Sequence, residues 1–390
     1  MDKALTISIE EARMRIVNAQ LLNSENGGST ISLIKQLGYV QIDTISIAER
    51  AHNHILFTRN HNFSKEEFNQ LLLSKQIFEY WSHAASYLPM DDYKYSLYRK
   101  NEYKKGKKHW FEKDDKTVKH VLNRIKKEGP LQSKDFKHAK NGSRDWYSWK
   151  PSKVALEQLF MEGRLMVAYR QGFRKVYDLT ERVLPENIDS YIPNTDEYVE
   201  YLINRSIQSQ GLVAINEIDY LQKGIKPTLR KVLNDKLKKG EVRKVLIKNY
   251  NQEYYTFDSS FVGAINKSIH ILSPFDNLVI QRKRVKELFN FDYQIECYLP
   301  ETKRKYGYYC LPLLYNNQFV GRLDPKADRK TGLFTVKNLW FESDFIAQED
   351  FFYLFVKEIK SFCSFCGCHT IAVDSCNVKG YREKITHLLG

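Results

Sequence analysis

The spacing of apolar residues switches repeatedly between the helical and the extended period, and the switches divide the chain. After Thr117, Val118, Val121, Leu122 and Ile125 recur at helical spacing. Gly129-Pro130-Leu131 stops that helix, Ser133 can cap a short second one, and Val154, Leu156, Leu159 and Phe160 mark a third. The run from Gly163 to Tyr169, then Gly172, then Lys175 to Leu179 predicts a β-hairpin. A second copy follows from Tyr198 to Phe257. Tyr198, Tyr201 and Leu202 open its first helix, and Gly211-Leu212-Val213-Ala214 takes the place of Gly129-Pro130-Leu131. Leu229, Val232, Leu233 and Leu237 lie on its third helix, and residues 240–247 and 254–257 form its hairpin. Three helices followed by a two-stranded wing is the winged-helix pattern, a variant of helix-turn-helix. A generic α+β domain with chance similarity fits the same spacing.

The N-terminal segment reads as a third, degenerate copy. Ser8 with Glu11 forms a capping box, and Ser64 with Glu67 forms another before Phe68, Leu71 and Leu72. Ile31, Ile34 and Leu37 mark a short helix that Gly38 ends. Beyond it Tyr39, Gln41 and Asp43 alternate with Val40, Ile42 and Thr44. In an extended segment, period two puts Gln41 and Asp43 on one face and turns Val40 and Ile42 into a core. An amide and a carboxylate held together on an anchored strand can grip a water molecule or face a developing cation. Two polar residues on an ordinary exposed strand face would show the same spacing. A helical run follows with Arg50, His52, His54 and Arg59, which can hold a polyanion or simply fill a helix surface.

From Arg99 to Lys116 the chain is rich in Lys and Glu and reads as an exposed basic linker. Past Leu288, alternating runs at residues 293–298, 318–323 and 333–336 predict strands, with a helix over 351–363 and a strand over 370–373. The expected class is α+β: three tandem winged-helix units followed by a C-terminal β-rich domain. The expected boundaries are 1–98, a linker at 99–116, then 117–190, 191–262 and 263–390.

Charge sharpens this picture. A net charge of +14 over 390 residues favours a polyanionic partner. The third helix of the second copy carries much of it, with Lys226, Arg230, Lys231, Lys236, Lys238 and Lys239, and so fits a phosphate-contacting helix. A solvated helix face would look alike. No window of about twenty residues is apolar and uncharged, and the first eleven residues hold no apolar signal region. A cytoplasmic, nucleoid-associated bacterial protein acting as a monomer is expected. Six cysteines in this length form no disulfide framework. Cys363, Cys366 and Cys368 lack a second Cys-x-x-C pair and read as buried thiols rather than zinc ligands.

Four stretches taken together, 39–45, 78–89, 272–278 and 303–312, resemble the AlkZ/AlkX (YcaQ-like) winged-helix DNA glycosylases over nearly the whole chain. That resemblance implies three winged-helix units and a C-terminal β-domain curved around a DNA channel. It also implies a catalytic signature of Gln, a hydrophobic residue, then Gln or Asp. Gln41, Ile42 and Asp43 match the Asp form. The Asp form resembles the branch that acts on N7-alkylguanine and unhooks interstrand crosslinks, the Gln form a narrower branch linked to natural-product resistance. One departure is Ile280-Gln281, where many relatives are expected to carry Trp-Asp.

The chemistry suits the residues. N7-alkylated guanine is cationic and leaves without a general acid. Asp43 can stabilise the sugar cation and take a proton from water, and Gln41 can hold that water. No lysine lies in the signature, so a monofunctional enzyme without cofactor or metal is expected, acting on double-stranded DNA. The competing class is a non-catalytic winged-helix transcription regulator. Against it stands the carboxylate, which would repel phosphate. A two-metal nuclease lacks its clustered acids.

Overall fold

The computed structural model of the chain describes residues 4–23, 28–108, 114–136, 151–257 and 267–390. It contains two compact units. One comprises Met1–Phe63 with Leu202–Gly390, the other Ser64–Tyr201.

In the first unit, strand Leu5–Ile7 pairs in parallel with Arg243–Ile247, which pairs antiparallel with Glu253–Thr256. A five-stranded sheet runs in the order Thr370–Val373, Leu333–Phe341, Gln318–Asp328, Leu311–Tyr315, Ile269–Ile271. Helix Glu349–Phe365 buries Phe351, Phe355, Ile359 and Phe362, its apolar stripe at the expected spacing. The pattern predicted this helix and the strands at 318–323, 333–336 and 370–373 within a few residues. One core gathers Ile7, Ile16 and Val17 with Val245, Leu278, Phe291 and Phe319. The N-terminal segment and the C-terminal sheet therefore share an interior. The expected separate domain from 263 onward is not a separate core, and the expected first unit at 1–98 divides after Phe63.

The alternation at Tyr293–Tyr298 does not form a strand. Glu296 breaks it by turning inward: it is buried and accepts backbone N–H bonds from Lys305 at 3.1 Å, Tyr306 at 2.8 Å and Gly307 at 3.1 Å. A carboxylate filled by three amides is a loop anchor, not a ladder residue.

In the second unit, helices Asp115–Glu128 and Pro151–Met161 precede the hairpin Leu165–Gln171/Arg174–Leu179. Leu131 bridges to Tyr177, just as Val213 bridges to Tyr255 in the first unit. Both predicted copies thus show helices, a short bridge and a closing hairpin in the same order. The short second element, Ser133–Asp135, has Gln132 rather than Ser133 at its N-cap position, where the Gln132 N–H donates to Asp135 Oδ2 at 2.8 Å. Arg170 clasps Glu79 through Nε at 2.5 Å and Nη2 at 2.7 Å, fastening this hairpin to Ile77–Trp81.

The predicted linker at 99–116 is largely absent as such. Helix Tyr93–Lys104 runs through its first part and helix Asp115–Glu128 through its end, while 109–113 lie outside the described residues. Lys100 explains the misreading. Its side chain is buried, with the ammonium 4.0 Å from the Tyr93 ring and 4.6 Å from the Tyr80 ring. A lysine counted as solvent-facing lies over aromatic faces instead. The expected boundary at 262/263 also lies outside the described residues.

Candidate active site

Helix Thr30–Leu37 delivers the signature segment. It is capped by Ser29 and ends at Gly38, whose φ of 80° is left-handed and whose N–H bonds Ile34 O at 2.9 Å. A Cβ at Gly38 would also run into the Arg205 side chain, so glycine is needed on two counts. Asn277 then holds the chain by donating from Nδ2 to Tyr39 O at 3.0 Å and to Leu37 O at 3.5 Å. Val40 and Ile42 are buried as the alternation predicted.

The regular strand is only Val40–Gln41. Gln41 is buried at its end. Asp43 lies past it in a turn closed by its own side chain, with Oδ1 accepting the Ile45 N–H at 2.7 Å. Asp43 is half-buried. Burial raises its pKa above the usual carboxylate range, and the Ile45 N–H partly offsets this. Burial first, and then the Asp43 charge, raise the pKa values of Cys297, Tyr298 and Tyr309. A carboxylate with one oxygen tethered and the other unbonded among the described residues is poised to accept a proton.

The helix expected to hold phosphates is Ala51–Arg59, with Arg50 as its N-cap. Arg59 is not available for that role. It is fully buried and every guanidinium N–H finds an internal acceptor: Asp276 at 2.7 and 3.0 Å, Gln20 O at 2.8 Å, Gln20 Oε1 at 3.1 Å and Ile55 O at 3.0 Å. His54 is interior too. Its Nε2 donates to Ile271 O at 2.8 Å, and burial lowers its pKa to about 4, so the ring is neutral at pH 7. His52 is buried and Arg50 partly so. Lys226, Arg230 and Lys231 stand exposed on helix Lys226–Lys238.

Asp276, Asn277, Glu296, Asp324 and Tyr309 were not assigned roles from the sequence. Asp276 also accepts the Leu278 N–H at 2.9 Å. Asp324 accepts the backbone N–H groups of Tyr308 and Tyr309 at 3.2 and 3.1 Å. These carboxylates fix the 273–278 and 303–312 segments. Both segments contributed to the resemblance, but a sequence cannot show what they hold.

The model of the family described as DNA glycosylase AlkZ-like matches residues 34–352, a span that contains the Asp43 turn and the segments around it. The chain belongs to that family. Among solved structures it is similar to the Streptomyces sahachiroi DNA glycosylase AlkZ, at 15% identity and a TM-score of 0.64, over 95% of this chain and 100% of that one. The likeness extends to the whole fold. As an AlkZ-like DNA glycosylase the protein is a DNA-repair hydrolase of N-glycosyl bonds, and the transcription-regulator reading gives way. No helix among the described residues is long and apolar enough to cross a membrane. Nor do three His, Cys, Asp or Glu side chains group among them as metal ligands. Cys363, Cys366 and Cys368 are buried free thiols.

Proposed function

We propose that this glycosylase releases N7-alkylated guanine from double-stranded DNA by direct hydrolysis and unhooks interstrand crosslinks made through the same atom. The carrying observation is the half-buried Asp43 carboxylate, tethered among the described residues at Oδ1. Its negative charge faces the cation that develops at the sugar, and its open oxygen takes the proton of the attacking water. Gln41, at the end of strand Val40–Gln41, helps hold that water. No lysine lies within the Gln41-Ile42-Asp43 signature, which supports a reaction without a Schiff base. The helix-helix-hairpin repeats are winged-helix units, and helix Lys226–Lys238 contacts phosphates through Lys226, Arg230 and Lys231.

The direct test is to incubate the protein with duplex carrying N7-methylguanine, with and without a metal chelator, and then treat with alkali. Free base and alkali-labile sites should form equally in both. Strand breaks before alkali, or loss of activity with chelator, would contradict monofunctional hydrolysis. A duplex crosslinked through guanine N7 should separate into single strands after alkali-free incubation. Persistence of the crosslink would restrict the substrate to monoadducts.

DNA affinity should fall steeply with salt, because phosphate neutralisation releases counterions. The double variant Arg230→Gln, Lys231→Gln should weaken binding to all sequences alike and lower the salt slope by roughly two. Binding measured across a salt series decides this. An unchanged slope places the DNA on another face.

A further inference from the structure

Tyr298 is 72% exposed, more than any other Tyr, Trp or Phe among the described residues. A solitary exposed ring needs no explanation, but this one stands on a loop fixed at several points. It lies in the turn Glu296–Leu299, closed by the Leu299 N–H on Glu296 O at 2.9 Å. The buried Glu296 carboxylate holds the amides of Lys305, Tyr306 and Gly307. Leu299 O, at the other end of the turn, accepts Arg304 Nε at 3.0 Å. Trp340 Nε1 donates to Tyr306 O at 2.9 Å and so ties the loop to strand Leu333–Phe341. The same loop concentrates positive charge. Lys303 and Lys305 are exposed and Arg304 partly so, and none of the three forms an ion pair among the described residues. Between Cys297 and Tyr308 a single acidic residue, Glu301, stands against them. The Arg304 guanidinium lies 4.8 Å from the Tyr308 ring.

We propose that this loop is a DNA-contact surface on which the Tyr298 ring stacks against a base displaced from the duplex, while Lys303, Arg304 and Lys305 neutralise the phosphates beside it. In a paired duplex the neighbouring bases cover each base face, and a protein ring reaches only edges in the grooves. A projecting ring therefore suits a nucleotide whose face has become free. Cations along the backbone with an aromatic ring beside them is the arrangement that holds unpaired strands. Stacking engages the π-face that every base has, so the contact is indifferent to base identity. The loop's fixed backbone lowers the cost of ordering it on binding. The inference rests on the DNA reading above but not on hydrolysis by Asp43.

The test compares two unmodified duplexes of one sequence, one fully paired and one with a single extra, unpaired base, by fluorescence anisotropy. The wild type should bind the second more tightly. Tyr298→Ala should weaken binding to it by about fivefold to a hundredfold, the range found when a base-stacking ring is removed. Binding to the paired duplex should hold. Tyr298→Phe keeps the π-face and should bind both as the wild type does, and the unfolding temperature should hold in both variants because the site is exposed. The double variant Lys303→Gln, Lys305→Gln should weaken both duplexes alike and lower the salt slope by roughly two. Equal affinity of Tyr298→Ala and wild type for the unpaired-base duplex, or equal losses on both duplexes, overturns the stacking role. An unchanged salt slope in the double variant overturns the phosphate contacts. A wild-type protein that releases no N7-methylguanine refutes the substrate reading, and these binding comparisons still decide the role of the loop.

Discussion

Replacing Asp43 by Asn should lower excision of N7-methylguanine by about two orders of magnitude or more, the scale of losing a general base or an electrostatic stabiliser. The substitution keeps shape and most hydrogen bonding. The Asn Oδ1 can still accept the Ile45 N–H that closes the turn. What is lost is the charge and the proton acceptor. DNA affinity should hold or rise, because a negative charge facing phosphates is gone. Stability has a definite sign. The folded pKa of Asp43 is raised, so its contribution to stability is present at low pH and declines as pH rises through that pKa. Asp43→Asn should therefore fold at pH 7 at least as well as the wild type. The same shift places the acid limb of the wild-type rate higher than an ordinary aspartate would. Excision kinetics, binding and thermal unfolding of one preparation test all of this. A well-folded variant that binds DNA and excises at the original rate removes Asp43 from the mechanism.

Much of the frame of this site was legible locally. Val40 and Ile42 are buried, Gly38 stops its helix, and Ser8 and Ser64 cap theirs by accepting the Glu11 and Glu67 N–H groups at 3.1 and 3.2 Å. Each of these depends on residues within four positions. The misreadings share the opposite property. Arg59 reads as a surface cation because its counter-ion, Asp276, lies 217 positions away. Its helix gives no warning either, for every residue of Ala51–Arg59 is buried and no polar face marks an outside. Glu296 reads as the solvent face of a strand until the three amides it fills, nine to eleven residues on, are seen. Asp43 falls between the two cases. Its place beside the strand was legible, whereas the turn it closes on Ile45 shortened that strand to two residues. Charged residues whose partners are distant in sequence carry no local signal of being interior.

That lesson has a measurable counterpart in Asp276→Ala, which should be the most damaging single substitution for the first unit. Asp276 and Arg59 are both fully enclosed, with side chains 0% exposed. Such a pair contributes little relative to an apolar pair of equal volume, because desolvation offsets attraction. Removing one partner strands the other charge and costs about 3–5 kcal/mol. For a unit of this size that corresponds to a fall in unfolding temperature of roughly 10 °C. The effect should also reach the active site. Asp276 accepts the Leu278 N–H and so shapes the turn from which Asn277 holds Tyr39 O, next to the signature. Excision should therefore fall even at temperatures where the variant stays folded. The double variant Arg59→Met, Asp276→Leu separates charge from packing. It leaves no stranded ion and should recover most of the stability but not the turn, so heat resistance returns while excision stays low. Thermal unfolding and excision rates of the two variants decide the matter. An Asp276→Ala protein that melts within about 1 °C of the wild type would show that Arg59 is not the buried ion described, because surface substitutions alone have effects that small.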